Sequence, residues 1–246
     1  MEAALYHVHH QLYEEDQSWW LDITQGQEPI LELGSGTGRV TIPLSRAGRK
    51  VWGVDHDLEM LKLGLKNLER ENDQTRERVK WLAAEMTALS LEDKTFRSII
   101  IPCNTYSTLS QSDRAKLLAE VHRCLLGGGL FAFSVPNPLL LKDIQGEDDL
   151  VLEEVIIHPV TGNSVQVSSL IQRERGGIAW TWVYDELLPD GQVNRSQVKT
   201  LHSDISREGY IQEGLDAGFS VAAEYGNFTR LPWGADSPYL IVVLEK

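Results

Sequence analysis

The sequence predicts an α/β fold: a doubly wound, mostly parallel sheet carrying an inserted antiparallel meander. Three observations predict it. Up to Pro136, short apolar runs alternate with stretches whose apolar residues recur every three or four positions. Three alternate glycines, Gly34, Gly36 and Gly38, follow at once upon the first of those runs, Ile30 to Leu33. From about residue 151 to 202 the pattern changes to strand alternation broken by turn signals.

Taken in order, residues 5–24 read as helix, with Leu12, Trp19, Trp20 and Ile23 as core contacts and Tyr6 and Tyr13 as packing anchors or ligand covers. Ile30 to Leu33 is the first strand, and Val40, Ile42, Leu44 and Ala47 start a helix after the glycines. Residues 49–55 form a second strand ending in Asp55, and Asp57 caps a helix carrying Leu58, Leu61, Leu65 and Leu68. Residues 79–83 and 96–102 are the third and fourth strands. Ser112 or Asp113 opens a helix through Leu125, ended by Gly127, Gly128 and Gly129. Residues 130–135 make a fifth strand. The meander has turn signals at 161–163, 176–177 and 189–191, which give about four strands. A helix over 206–217 and strands over 219–225 and 239–244 complete seven strands in the main sheet. The expected division is 1–136 with 203–246 as the main domain, and 137–202 as the insertion.

Composition narrows the function. With 36 acidic against 23 basic residues and a net charge of −13, the surface repels a phosphate backbone, so nucleic acid is not the expected partner. Cys103 and Cys124 are the only cysteines and form no C-x-x-C pair, which fits free thiols and no metal site. The N-terminus lacks a signal-peptide pattern and no apolar run reaches membrane-spanning length, so the expectation is a soluble cytoplasmic protein, monomer or homodimer.

The glycine turn lets backbone approach a ligand, and the following helix offers free N–H groups. Asp55, at the end of the next strand, is placed to accept hydrogen bonds from both hydroxyls of a ribose. By this geometry a nicotinamide cofactor and S-adenosylmethionine both fit. The spacing G-x-G-x-G differs from the G-x-G-x-x-G of dinucleotide enzymes.

The run Leu31-Glu32-Leu33-Gly34-Ser35-Gly36-Thr37-Gly38-Arg39, followed by Gly53-Val54-Asp55, resembles motifs I and II of class I S-adenosylmethionine-dependent methyltransferases. Residues 96–104, the segment Leu125-Leu126-Gly127-Gly128-Gly129-Leu130 and Asp216-Ala217-Gly218-Phe219 continue the likeness in order. The resemblance implies a Rossmann-like sheet and the cofactor S-adenosyl-L-methionine, with S-adenosyl-L-homocysteine as product. It implies that Gly34, Ser35, Gly36 and Gly38 pass against the methionine part, with Glu32 near its amino group and Arg39 reaching its carboxylate. Asp55 holds the ribose, His56 and Met60 lie near the adenine, and Glu85-Met86 stands where the family holds the adenine amine. Pro102 and Cys103 face the methyl group, and Tyr13 joins the cofactor-binding set.

Asn104 and Tyr106 are the candidates to orient a nucleophile. Thr108 stands where related enzymes carry histidine or tyrosine, which leaves the base unassigned and favours positioning chemistry on an amine or an activated oxygen. Trp180, Trp182 and Tyr184 share one strand face, either packing or an aromatic wall for a flat or cationic small-molecule acceptor. The same sheet offers a dimer interface. The segment 225–239 resembles the closing loop of amino-sugar N-methyltransferases, which places Asn227, Phe228 and Trp233 at the acceptor rim. Two other readings stand beside this one: a cofactor-binding protein without turnover, and an NAD-dependent oxidoreductase, the latter lacking a second signature such as Tyr-x-x-x-Lys.

Overall fold

The computed structural model describes residues 3–11, 13–146 and 149–246, and in it the chain folds as two compact units. Leu12 lies outside the described residues. The larger unit comprises residues 14–140 and 205–246; the smaller comprises residues 141–204 together with the N-terminal segment through Tyr13.

The larger unit is built on seven strands: β1 (Ile30–Leu33), β2 (Val51–Asp55), β3 (Val79–Ala83), β4 (Phe96–Ile101), β5 (Leu125–Pro136), β10 (Ser220–Tyr225) and β11 (Tyr239–Glu245). Their order across the sheet is β10-β11-β5-β4-β1-β2-β3. Only β11 runs antiparallel to its neighbours. The strand order reverses between β1 and β4, where an open parallel sheet leaves a crevice for a ligand.

Helices α2 (Gln17–Ile23), α3 (Thr41–Arg46), α4 (Leu58–Leu68), α5 (Asp73–Arg76), α6 (Gln111–Cys124) and α8 (Arg207–Asp216) complete this unit. Leu31, Leu33, Ile99, Ile101, Phe131, Phe133 and Leu117 form its core with no exposed surface. Burying such side chains contributes about 1.5–3 kcal/mol each, which is why the central strands are mostly apolar. Asp57 caps α4 as its position predicts, accepting from Glu59 N at 2.9 Å and Met60 N at 3.1 Å.

Two local expectations change. Residues 5–24 are two helices, α1 (Ala3–His10) and α2, because their apolar faces bury in different places. Leu5 and Val8 pack in the smaller unit, whereas Trp19 and Trp20 are buried in the larger one. Gly127 to Gly129 do not cap α6. That helix is opened by Ser110, whose hydroxyl accepts from Asp113 N, and the chain enters β5 directly at Leu125. The glycines there are held by the end of the chain, with Gly128 N donating to Lys246 O at 2.8 Å.

The smaller unit is a four-stranded antiparallel sheet in chain order: β6 (Val151–Ile157), β7 (Ser164–Glu174), β8 (Gly177–Leu187) and β9 (Val193–Ser203). Its turns contain Gly162, Gly176 and Gly191, all at positive φ, as the turn signals predict. Leu5 of α1 closes a core of Ile156, Val165, Val167 and Tyr184. A short helix, α7 (Pro138–Asp143), precedes this sheet in the chain. Among the described residues no helix is long and apolar enough to cross a membrane.

Candidate active site

β1 is buried throughout and ends where Gly34 N and Ser35 N both donate to Val54 O, at 2.8 and 3.0 Å. This ties the turn to the end of β2. Gly34, Gly36 and Gly38 adopt φ of +73°, +52° and +87°, a region other residues enter only with strain. A Cβ at Gly36 would meet nothing nearer than Asp55 Oδ2 at 4.0 Å, so the turn holds an open cradle beside a carboxylate. Asp55 shapes that cradle: Oδ2 accepts from Gly36 N at 2.8 Å and Oδ1 from Asp57 N at 2.9 Å. Each oxygen keeps a further acceptor site, so two hydroxyls fit the same carboxylate.

The helix after the turn starts late. α3 begins at Thr41 and has 6 residues, so the donors around the cradle are loop amides and not the helix amides the sequence suggests. Beneath the turn lies Trp81 of β3. A Cβ on Gly53 would come within 2.7 Å of its ring, so glycine there is required for β2 to pass the indole.

Glu32 is buried at 3% exposure and accepts a hydrogen bond from Thr41 Oγ1. Burial pushes its carboxyl up to about 8, against the opposing pull of the Thr41 hydroxyl and the Arg39 guanidinium. Near neutral pH it is therefore largely protonated, a group that an incoming cation would ionise. Arg39 points to Asp16, donating from Nη1 to Oδ1 and from Nη2 to Oδ2, both at 2.7 Å. Nη2 also donates to Cys103 Sγ.

At the end of β4, Cys103 and Asn104 adopt left-handed φ of 59° and 61° in succession, strain of the kind that collects at functional sites. Cys103 is exposed, yet protein atoms crowd its thiol and push it up to about 11. Asn104 Oδ1 is buried without a hydrogen-bond partner. Pro102 is buried beside them. Thr105 closes this side: a Cβ on Gly34 would lie 3.2 Å from Thr105 Cγ2 and 3.7 Å from Met86 Cε. The first, third and fourth strand ends thus converge.

Other predicted residues separate by environment. Tyr106 is drawn into the core, stacked on Phe133 with ring centroids 4.1 Å apart, its hydroxyl unpartnered and its phenol pushed well above the usual range by burial. That placement puts its ring in the core of the larger unit. Thr108 is exposed and donates to Thr105 O at 2.8 Å. His56 is exposed, its Nδ1 3.9 Å from Asp55 Oδ1, while Met60 is buried on α4 and Glu85 is exposed.

In the closing loop, Asn227 Oδ1 accepts from Thr229 N, Thr229 Oγ1 and Leu231 N, which makes it an organiser of the loop itself. Phe228 is buried against Trp19 and Tyr239, and Trp233 lies under the Arg207 guanidinium at 5.4 Å. Asn137, which the sequence does not single out, pins this loop by donating to the carbonyls of Gly234, Ala235 and Ser237. Asp16 was also missed; it lies outside the glycine motif, and no spacing rule marks it.

In the smaller unit, Trp180 and Trp182 stack at 5.7 Å and are half-buried, with Trp180 Nε1 buried and unpartnered. Tyr184 Oη lies 2.9 Å from His9 Nδ1, and Trp182 meets the His9 ring edge-on at 4.5 Å. Tyr13 groups with this unit and not with the glycine turn.

Residues 30–129 match the family model described as a methyltransferase domain. The ubiquinone/menaquinone biosynthesis C-methyltransferase of a Geobacter species is 27% identical over 125 residues, covering 48% of this chain and 51% of that protein. The chain thus spans about half the length of the curated relatives it matches. Among solved structures, an S-adenosylmethionine-dependent methyltransferase from Clostridium acetobutylicum superposes with a TM-score of 0.80 at 15% identity, covering 98% of this chain and 97% of that one. CalS10 of Micromonospora echinaspora, an amino pentose methyltransferase solved with S-adenosylmethionine, gives 0.70 at 18% identity over 98% and 96%. At these identities the two structures establish the shared fold, which is the Rossmann-like architecture the sequence predicts.

Proposed function

From the methyltransferase domain that residues 30–129 form, we infer that this chain is an S-adenosylmethionine-dependent methyltransferase that methylates a nitrogen or oxygen of a small molecule. The observation that carries the reading is the Gly36 cradle closed on Asp55: open space where a Cβ would sit, next to a carboxylate ordered by two backbone N–H groups. A nucleoside fits that chemistry. Asp55 would hold the ribose, Gly34 to Gly38 would pass along the amino-acid portion, and Met60 and Met86 would supply apolar contact to the base.

Bound there, the sulfonium supplies an activated methyl, so the protein's task is to align the acceptor and exclude water. Asn104, with its unpartnered Oδ1 at the strand end, is the residue we assign to orienting the acceptor. Glu32 would take up the cationic amine and release its proton in doing so. Within the smaller unit, the stacked Trp180 and Trp182 have the chemistry of an aromatic wall for a flat or cationic group. The likeness to CalS10, an amino pentose methyltransferase, supports an amine acceptor. The second reading, cofactor binding without turnover, is favoured by the burial of Tyr106 and by Thr108 at the base position.

Calorimetric titration with S-adenosylmethionine and with NAD tests the cofactor; binding of NAD alone sinks the proposal. A screen of amines and hydroxylated metabolites for methyl transfer then separates enzyme from binding protein.

A further inference from the structure

We propose that Asp16 is a positioning residue of this site: it holds the Arg39 guanidinium against Cys103 and thereby fixes the end of β4 relative to the glycine turn. The proposal rests on the cofactor reading above and extends it to a residue outside the domain match, which begins at residue 30.

Asp16 has no exposed surface, and its carboxylate accepts three N–H donors, two from Arg39 and one from Trp20 Nε1 at 2.9 Å. A buried carboxylate needs such pairing, since desolvation otherwise outweighs any local gain. Asp16 stands at the residue before α2, where aspartate is a favoured helix cap, yet its side chain makes no cap bond to that helix. Its oxygens are given to Arg39 instead.

Arg39 in turn follows the last glycine of the cradle and reaches Cys103 Sγ. Cys103 opens the pair of left-handed residues that shape the strand end; Asn104 tolerates that conformation, whereas a cysteine rarely enters it. Three segments far apart in the chain are therefore locked by one guanidinium. Because its charge is already paired with Asp16, Arg39 serves the site as a brace more than as a clamp for a ligand carboxylate.

The test combines thiol labelling with ligand titration. In Asp16→Asn the Arg39 guanidinium loses its charged partner, so the brace on the strand end loosens and the crowded Cys103 thiol opens to reagent. Iodoacetamide should then alkylate Cys103 several-fold faster than in the wild type at pH 7.5 without ligand, as read by peptide mass spectrometry. Cys124 is fully buried and serves as the internal control. S-adenosylhomocysteine affinity, measured well below the melting temperature, should fall roughly tenfold, and Asp16→Glu should recover part of both effects. If Asp16→Asn does not fold, Trp20→Phe removes one donor to the same carboxylate and should shift both readouts in the same direction by less. A Cys103 labelling rate unchanged or slower in a folded variant overturns the proposal, as does unchanged affinity. If wild-type protein fails to bind S-adenosylhomocysteine while labelling still responds, the cofactor reading falls and the Asp16–Arg39–Cys103 coupling stands.

Discussion

Glu32 in the larger unit and His202 in the smaller one are both buried, at 3% and 9% exposure, and burial holds both neutral. Their consequences along the pH axis are opposite. Glu32 is raised from 4.5 to about 8, so its contribution to stability is complete below about pH 4.5 and is lost as pH rises through 8. His202 is pushed down from 6.5 to about 4 by desolvation, so its contribution is complete above about pH 6.5 and is lost as pH falls through 4. One physical cause thus makes the cofactor-type unit alkali-sensitive and the inserted sheet acid-sensitive. The difference also separates roles. A neutral carboxyl beside a ligand cradle can be ionised by a cation, whereas a neutral imidazole edge-on to Trp180 at 6.4 Å belongs to packing.

The largest effect sharpens this contrast at Glu32. Between pH 4.5 and pH 9 the wild type should lose roughly 4–5 kcal/mol at the β1 amides through this group alone, and Glu32→Gln should abolish that slope. Hydrogen exchange against pH at residues 30–33 reads it; an equal slope in the variant breaks the comparison.

The second prediction is its mirror. His202→Gln should remove an acid-side loss of roughly 3 kcal/mol between pH 6.5 and below 4, read at the amides of β8 and β9. If acid opens the larger unit's strands instead, the assignment of opposite signs to the two units fails.

Third, Asp55→Ala should weaken S-adenosylmethionine binding by roughly 1.5–3 kcal/mol, the worth of charge-assisted hydrogen bonds. Calorimetry measures it, and unchanged affinity would show that Asp55 merely orders Gly36 and Asp57.

The smallest effect lies in the smaller unit. Tyr184→Phe removes the hydroxyl 2.9 Å from His9 Nδ1 and should cost about 1 kcal/mol of local stability, seen as faster exchange in α1 with no change in β1. A loss confined to β1 would contradict the grouping of α1 with the inserted sheet.

The fold was legible because its determinants are local. Ile30 to Leu33 is apolar but for Glu32 because both faces of that strand are covered, and the turn residues of the meander fall where the chain reverses. Of the site, Gly34, Gly36, Gly38 and Asp55 were legible for the same reason: positive φ and a strand-end carboxylate leave a mark within a few residues. Tyr106 and Phe228 read as site residues but pack inward, since a strand-end aromatic carries no sequence sign of which way it faces. The break between α1 and α2 was likewise hidden, because one helical period describes two apolar faces that bury in different units.

By itself, then, the sequence determined the alternation of strands and helices, the glycine cradle, its carboxylate and the inserted meander. Tertiary structure alone decided that Asp16 pairs with Arg39 instead of capping its helix, that Thr105 and Met86 close on Gly34, and that Glu32 is held neutral. The physical reason is range. Backbone conformation and apolar periodicity are set by neighbours in the chain, whereas ion pairing and desolvation depend on groups that only folding brings together.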